Sequence, residues 1–250
     1  MRVTVLGAGT SIPAKGHSPA GIYVQIAREH ILLDAGPGTW QRLERAGAPW
    51  HQLDRIFLTH FHVDHSLDLV SILASLRLPP VKRKKPLHVY GPPGLKRLYR
   101  TLNAAYLDKL SPRGYRVVFH ELQRATLRLP GYAVRSVPMN HYETKAIGYR
   151  LTAAGKTLAY SGDTDVCEGV VELGRGADAL ILECSVPDER KVEGHLTPSK
   201  CGRIAAEAGC RRLVLTHFYP VFKGYDIRAR VRYAYRGRLT LAKDFTTIQL

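Results

Sequence analysis

The sequence predicts an α+β fold in which residues 1–250 form one domain. Short apolar runs, typical of β-strands, are interspersed with helical patterns. Several predicted strands follow one another directly, near the N-terminus and between residues 115 and 160, which argues against a regular succession of β-α-β units. Apolar residues make up 45% of the chain and charged residues 23%, so a chain of this length can bury a sizeable core.

Ten predicted strands account for most of the apolar runs. Each spans three to six residues and ends where glycine, proline or a polar residue interrupts the run. In chain order they are Val3–Leu6, Ile22–Ile26, Ile31–Leu33, Arg55–Leu58, Tyr132–Val137, Ile147–Leu151, Thr157–Tyr160, Ala179–Leu182, Leu213–Leu215 and Leu239–Leu241.

Five helical patterns lie between these runs. The fourth has the clearest ends, because Thr197 can cap its N-terminus, Pro198 suits its first position and Gly209 can end it. The predicted helices are Gly38–Ala46, Leu67–Leu78, Leu95–Leu110, Pro198–Ala208 and Asp226–Tyr235.

The segment Gly7–Ile12 begins like a dinucleotide-binding fingerprint. Its third glycine is replaced by Ile12, and prolines interrupt the helix that should follow. We therefore expect a glycine-rich turn near the mouth of an active site.

The cysteines and the apolar runs predict a cytoplasmic protein with no membrane partner. The four cysteines form no CxxC pair and are expected to be reduced thiols. No apolar run approaches membrane-spanning length, and the N-terminal run is broken at Gly7, too early for a signal peptide.

The net charge of +16 is concentrated in two blocks. Residues 81–135 carry thirteen basic and two acidic side chains, and residues 211–250 carry nine and two. Such blocks favour a polyanionic partner, because lysine and arginine release counterions when they meet phosphates. The alternative is an ordinary basic surface.

A dense group of metal-ligating side chains follows the predicted strand Arg55–Leu58. His60 and His62 are two residues apart, so in an extended segment their rings share a face, and Asp64 and His65 come next. Four such side chains in six residues can reach two adjacent metal ions. Imidazole and carboxylate without thiolate suit Zn²⁺ or a similar first-row divalent ion.

This HxHxDH pattern resembles the metallo-β-lactamase fold superfamily. Three further segments, Pro138–His141, Tyr160–Thr164 and Leu215–Pro220, follow predicted strands in the family's order. The resemblance covers essentially the whole chain. It implies a four-layer αββα sandwich, with two β-sheets packed face to face and helices outside.

The resemblance also implies two zinc ions, with Mn²⁺ or Fe²⁺ as alternatives. The ligands of one ion would be His60, His62 and His141, those of the other Asp64, His65 and His217, and Asp163 would bridge both together with a hydroxide. Asp34 matches a position that accepts a hydrogen bond from a ligand histidine.

Within the superfamily, the opening LGAGTSIP and the pair Glu183 and His195 resemble the ribonuclease Z branch. His195 lies two residues before Thr197, beside a helix N-terminus that favours phosphate. The resemblance implies that His195 donates a proton to the leaving oxygen or stabilises transition-state charge, oriented by Glu183. Asp64 could also serve as the proton acceptor for the metal-bound water, a role that competes with its role as a ligand. We expect hydrolysis of a phosphodiester, with RNA and tRNA 3′ processing as the first substrate hypothesis.

One feature departs from ribonuclease Z, which usually carries a tRNA-gripping arm between its third histidine and its bridging aspartate. Only 21 residues separate His141 from Asp163 here, so the arm is missing. The basic blocks could compensate, and the predicted RNA contacts are Arg83, Lys84, Lys85, Arg228 and Arg232.

Several alternatives stay open at this point. They are a small-molecule phosphodiesterase acting on cyclic phosphates or nucleotides, a carboxylic ester, thioester or lactam hydrolase, and a non-catalytic nucleic-acid-binding protein. Related enzymes are often homodimers, and the sequence is compatible with that state.

Overall fold

Two seven-stranded β-sheets pack face to face in the structure, a computed structural model that describes all 250 residues. The strand order is β14-β1-β2-β3-β4-β5-β6 in the first sheet and β13-β12-β11-β10-β9-β8-β7 in the second. The strands are β1 (Arg2–Gly7), β2 (Gly21–Ile26), β3 (Glu29–Leu33), β4 (Arg55–Phe57), β5 (Leu87–Gly91), β6 (Val117–Glu121), β7 (Ala125–Leu129), β8 (Tyr132–His141), β9 (Thr144–Ala153), β10 (Lys156–Tyr160), β11 (Ala179–Glu183), β12 (Arg212–Thr216), β13 (Arg238–Leu241) and β14 (Thr246–Gln249).

Helices cover the outer face of each sheet. They are α1 (Thr39–Arg45), α2 (Val63–Ser66), α3 (Asp68–Leu76), α4 (Leu95–Ala105), α5 (Glu168–Gly174), α6 (Pro198–Ala208) and α7 (Ile227–Arg232), with 3₁₀ turns at Trp50–Gln52 and Asp188–Arg190. No helix is both long and apolar enough to cross a membrane.

The largest apolar cluster lies between the two sheets. Alternate side chains of a strand point to one face, so Val3 and Val24 of the first sheet share this cluster with Tyr149 and Leu158 of the second. Two further clusters pack α1, α3 and α4 against the first sheet, and α5, α6 and α7 against the second. The predicted α+β class and the four-layer αββα sandwich are confirmed.

The strand directions bring the functional loops to one edge of the sandwich. Strands β3 to β6 pair in parallel, and so do β10 to β13. The carboxyl ends of parallel strands meet at the same edge, where α/β folds place their ligands. The segments that follow β3, β4, β10, β11 and β12 carry most of the predicted site residues.

The structure also contains elements that the sequence pattern did not predict. Strands β5, β6, β7 and β14 and the short helix α5 are additional, and α4 ends at Ala105, five residues earlier than predicted. Strand β8 continues through Pro138 to His141. Ile147, the partner of Pro138 in register on β9, points its N–H away from β8 to the carbonyl of Thr59. A proline N–H is therefore not needed for the ladder at this pair.

Candidate metal centre

The predicted metal ligands come from four separate segments that converge at this edge. The loop after β4 and helix α2 provide the histidines of the HxHxDH motif, and the end of β8 provides His141. Asp163 lies in the turn after β10, and His217 lies directly after β12. His217 and Asp34 have positive φ angles of 61° and 57°, so the chain turns sharply at these strand ends.

The first predicted ligand group is formed by three histidines. His62 Nδ1 lies 3.1 Å from His60 Nε2 and 3.1 Å from His141 Nε2. His60 and His141 are buried, whereas His62 is exposed. Burial lowers the pKa of His60 well below its usual range, so this imidazole is neutral and its nitrogen lone pair is available to a metal.

The second predicted group lies directly beside the first. His65 Nε2 is 3.1 Å from His217 Nε2, and His217 Nε2 is 3.3 Å from Asp64 Oδ2. All three side chains are buried. Burial would raise the pKa of Asp64, but the hydrogen bond from His217 and the nearby charge of His65 hold it below its usual range, so the carboxyl is ionised.

Asp163 lies between the two groups and contacts both. Its Oδ1 is 3.3 Å from His65 Nε2, and its Oδ2 is 3.5 Å from His217 Nε2, 3.9 Å from His60 Nε2 and 4.0 Å from His141 Nε2. Oδ1 is buried and has no hydrogen-bond partner within the protein. Such an orphaned buried oxygen, surrounded by imidazole nitrogens, fits a divalent cation as its missing partner.

Asp34 fixes the orientation of the HxHxDH histidines. Its buried carboxylate accepts hydrogen bonds from His65 Nδ1 (2.8 Å), the Thr59 backbone N–H (2.7 Å), the Thr59 hydroxyl (2.9 Å) and the Tyr160 hydroxyl (2.7 Å). Because the Thr59 hydroxyl donates to Asp34, its oxygen can accept the Nδ1 proton of His60 at 3.0 Å. Both rings therefore present Nε2 to the centre.

The other two buried histidines are oriented in the same way from the second sheet. His141 Nδ1 donates to the carbonyl of Gly194 at 2.9 Å. His217 Nδ1 lies 3.0 Å from the Ser185 hydroxyl oxygen, and that hydroxyl donates to Glu183 Oε2. Four of the five histidines in the two groups thus have a defined outer partner, which fixes the nitrogen that faces the centre.

His195 and Glu183 form a pair at the edge of the same cluster. Glu183 Oε1 accepts a hydrogen bond from His195 Nδ1 at 3.0 Å and another from the backbone N–H of Thr164 at 2.8 Å. His195 Nδ1 is 3.9 Å from Asp163 Oδ2. Burial alone would lower the pKa of His195, but its hydrogen bond to Glu183 and the charges of Glu183 and Asp163 raise that pKa to about 9.

The glycine-rich turn after β1 lies at this site, as expected. The backbone N–H of Ser11 donates to Asp64 Oδ2 at 3.1 Å. At Gly9, a Cβ atom would lie 2.3 Å from the carbonyl oxygen of His17, so only glycine allows this close approach of the two backbones.

Comparison with known proteins identifies the family. A family described as "Beta-lactamase superfamily domain" matches residues 29–218. Ribonuclease Z from Methanosarcina acetivorans is 31% identical over 268 aligned positions, which cover 87% of each chain. This chain belongs to the ribonuclease Z branch of the metallo-β-lactamase superfamily. The membership makes it a metal-dependent hydrolase and confirms the family predicted from the HxHxDH pattern.

Solved structures show the same fold. The short form of human tRNase Z is 25% identical, with a TM-score of 0.81 over 100% of this chain and 99% of that one. The metallo-β-lactamase fold protein YhfI from Bacillus subtilis has a TM-score of 0.85 at 22% identity, over 99% and 98% of the two chains.

The arm predicted to be missing has no room in the structure. The alignment with ribonuclease Z from Myxococcus xanthus spans 310 positions at 28% identity and includes all of this 250-residue chain, so that relative is longer at internal positions. Here β9 and β10, joined by a two-residue turn, occupy almost the whole stretch between His141 and Asp163.

The prediction that Arg83 contacts RNA is wrong. Its side chain is buried, and the guanidinium donates to the backbone carbonyls of His51 (2.9 Å), Leu53 (2.7 Å) and Pro86 (2.8 Å). It therefore holds the segments before β4 and β5 together, and its donors are unavailable to a phosphate.

The neighbouring lysines lie far from the metal centre. Lys85 Nζ binds Asp54 Oδ1 at 2.6 Å, directly before β4, whereas His60 follows the other end of that strand. At about 3.3 Å per residue, these six residues separate the two points by on the order of 20 Å. Lys84 is exposed at the same far edge, so neither lysine can contact a phosphate held at the metal centre.

In the second basic block, Arg232 has structural partners. Its guanidinium donates to the carbonyls of Gly237 (2.6 Å) and Tyr235 (3.4 Å) and fixes the chain after α7. Arg228 is exposed on α7. An RNA contact by Arg228 stays a prediction.

Other side chains beside the centre were not assigned to the site from the sequence. Thr144 Oγ1 is 3.3 Å from His62 Nε2, and Thr144 lines a cavity of about 350 Å³ with Phe61, Arg97 and Lys145. Lys145 follows His141 in the β8–β9 hairpin, so its proximity to a ligand was a usable sequence signal. Arg97 lies beside the site because of where helix α4 packs, and no local sequence signal indicates that position.

Proposed function

We propose that this protein is a binuclear zinc phosphodiesterase that cleaves a phosphodiester bond in RNA, with tRNA 3′ processing as its reaction. The observation that carries the proposal is the position of Asp163. One carboxylate contacts both ligand groups, and His195, paired with Glu183, lies within 4 Å of it. Two ligand groups that share a carboxylate suit two ions, and a histidine beside them suits proton transfer.

The residues fit two divalent cations. His60, His62 and His141 would hold one ion, Asp64, His65 and His217 would hold the other, and Asp163 would contact both. When bound, the cations supply Lewis-acid stabilisation of charge on phosphoryl oxygens and lower the pKa of a nearby water. The donor set of imidazole and carboxylate suits zinc, and Mn²⁺ or Fe²⁺ can use the same ligands.

His195 would donate a proton to the leaving oxygen or stabilise the charge that develops there. Its Nδ1–H is held by Glu183, so Nε2 is the atom from which a proton can be transferred. Ser185 lies 3.2 Å from the same Nδ1 and donates to Glu183, which fixes the carboxylate in turn. Asp64, at the other end of the cluster, is the candidate acceptor for a proton from water.

A polyanionic substrate is supported by basic groups at the site itself. Arg97 and Lys145 line the cavity next to His62, in place of the predicted contacts at the far edge. The net charge of +16 adds a long-range attraction for phosphates. The named relatives are ribonuclease Z proteins, and their reaction is the basis for proposing tRNA as the substrate.

A small-molecule phosphodiesterase acting on cyclic phosphates or nucleotides is the second candidate. The short connection between His141 and Asp163 favours it, because no arm is present to hold the body of a tRNA. An ester or lactam hydrolase is disfavoured by the His195–Glu183 pair, since a proton donor at this position suits an alkoxide leaving group of a phosphodiester.

Zinc-reconstituted protein should be tested on unprocessed tRNA, on bis(p-nitrophenyl) phosphate and on a β-lactam. Cleavage of the first two and none of the third supports the proposal. Turnover of the small diester without tRNA cleavage selects the second candidate, and lactam hydrolysis alone contradicts both. The His195→Ala variant, which removes the proposed proton donor, can be tested on the same substrates. His120→Ala is its control, because His120 lies on β6 and contacts His88 rather than the centre.

A further inference from the structure

A second cavity adjoins the metal centre on the side of His217. It has a volume of about 310 Å³ and lies where three segments meet: the turn before β2, the loop after β12 and the end of β13. Tyr219 lines this cavity, and its ring also packs edge-on against His195 and His217, with centroids 6.0 and 5.9 Å away. The cavity and the metal centre are therefore separated by one side chain.

We propose that this cavity binds the nucleobase of the nucleotide next to the scissile phosphate, and so selects nucleotide substrates over other phosphodiesters. The inference rests on the proposed phosphodiesterase function and specifies which substrates that site accepts.

The lining has the chemistry of a base-binding site. Besides Tyr219, three aromatic rings contribute to it: His17 and Phe222 each lie edge-on to Phe218, at 5.7 and 5.8 Å between centroids. His17 and Phe222 are only half-buried, so each has surface available for stacking. Stacking on aromatic rings accepts any base, because every base has a π-face.

Charge and size agree with a nucleotide. Lys223 and Lys243 lie at the cavity and are exposed, so both can reach a phosphate or a base carbonyl. The volume is near the lower end of the roughly 300–1,000 Å³ found for small-molecule sites, which suits one nucleoside rather than a folded RNA element.

The walls of the cavity are held in place by hydrogen bonds. The Phe218 N–H donates to the carbonyl of Ala8 at 3.0 Å, which ties the loop after β12 to the glycine-rich turn. Asp244 accepts hydrogen bonds from the N–H groups of Ala8 (3.1 Å) and Ser18 (3.0 Å). The site is therefore preformed, and base binding need not order these loops.

The test compares diesters with and without a base. The probes are the p-nitrophenyl esters of thymidine 5′- and 3′-phosphate, which place the base on either side of the phosphorus, and bis(p-nitrophenyl) phosphate, which has no base. With zinc-reconstituted protein, Phe222→Ala should lower kcat/KM by at least about tenfold for one thymidine ester, the loss expected for one stacked base. The base-free diester should change less than about twofold.

Direct binding provides a second measurement. Calorimetric titration of the zinc-reconstituted protein should show tighter binding of thymidine monophosphate than of inorganic phosphate, and Phe222→Ala should abolish that difference. Phe222→Tyr should retain it, because the ring remains. Tyr106→Ala, which truncates a half-exposed aromatic residue after α4, is the matched control and should change neither measurement.

Three outcomes would overturn the inference: equal losses on all diesters, no loss on any, or equal affinities for the nucleotide and phosphate. If the wild-type protein cleaves no diester, the proposed function fails, and the titration still tests the cavity. Failure of the base-binding inference can therefore be distinguished from failure of the proposed phosphodiesterase function.

Discussion

Replacing Asp34 by asparagine should weaken metal binding without unfolding the protein. Asparagine has the same shape and tolerates the left-handed backbone at this position, where φ is 57°. It supplies one acceptor oxygen in place of two, and its NH₂ group must face donors such as His65 Nδ1 or the Tyr160 hydroxyl. The neutral His65 ring would then carry its proton on Nε2, the atom that faces the centre, and that nitrogen could no longer bind a metal.

The size of this effect follows from the role of Asp34 as the partner of His65. Losing the partner that orients a ligand histidine typically costs 10- to 100-fold in metal affinity, or about 1.4–2.8 kcal/mol. Asp34→Ala should do more, because it leaves the Thr59, His65 and Tyr160 donors unsatisfied in a fully buried position. We expect that variant to lose at least about 3 kcal/mol of unfolding free energy.

Zinc affinity can be measured by competition with a chromogenic chelator, and stability by urea denaturation of the zinc-loaded and chelator-treated proteins. Asp178→Asn is the matched control, because Asp178 accepts the Thr157 N–H on the second sheet and does not touch the centre. Wild-type affinity for two zinc ions in Asp34→Asn would refute the assigned orientation of His65.

Four further predictions concern other side chains. Asp163→Ala should reduce zinc content well below two ions per chain, as measured by metal analysis, because this carboxylate contacts both ligand groups. His195→Ala should retain zinc while kcat on bis(p-nitrophenyl) phosphate falls by roughly 10²–10⁴, and loss of zinc would instead make His195 a ligand. Arg83→Met should lower the unfolding free energy by about 2–4 kcal/mol in urea titrations, because three carbonyls lose their donor, and should leave RNA affinity unchanged. Replacing both Arg97 and Lys145 by serine should weaken RNA binding. The slope of log affinity against log salt concentration should fall by about 0.7 for each phosphate that is no longer neutralised, and a filter-binding series over several salt concentrations can measure it.

The residues that converge at the candidate metal centre could be predicted from the sequence because their segments follow recognisable apolar strands. The pattern of strand, then histidine or aspartate, is a local signal, and parallel strands bring such ends together. Asp34 was predicted as the partner of a ligand histidine, but the partners of the other histidines could not be predicted. Gly194 accepts from His141 through its backbone carbonyl, which any residue offers, and Thr59 and Ser185 contribute hydroxyls that are common throughout the chain.

Two of the four unpredicted strands, β6 and β7, differ physically from the predicted ones. Strand β6 is an edge strand with no fully buried side chain, and β7 alternates half-buried and exposed residues within a basic stretch. Neither contains the continuous apolar run that burial on both faces requires. Helix α6 was predicted residue for residue because Thr197, Pro198 and Gly209 mark both of its ends.

The distribution of charge along the chain does not indicate which basic residues lie beside the metal centre, for a reason that lies in the fold. A parallel strand exposes two loops, one at each edge of the sheet, and only the loop after the strand reaches the site. Lys84 and Lys85 precede β5, whereas Arg97 follows it, so residues of one basic block lie at opposite edges. Arg97 lies beside the centre because it follows a parallel strand, whereas Lys145 lies there because it follows His141 in the antiparallel β8–β9 hairpin. The number of charges in a block does not indicate either position.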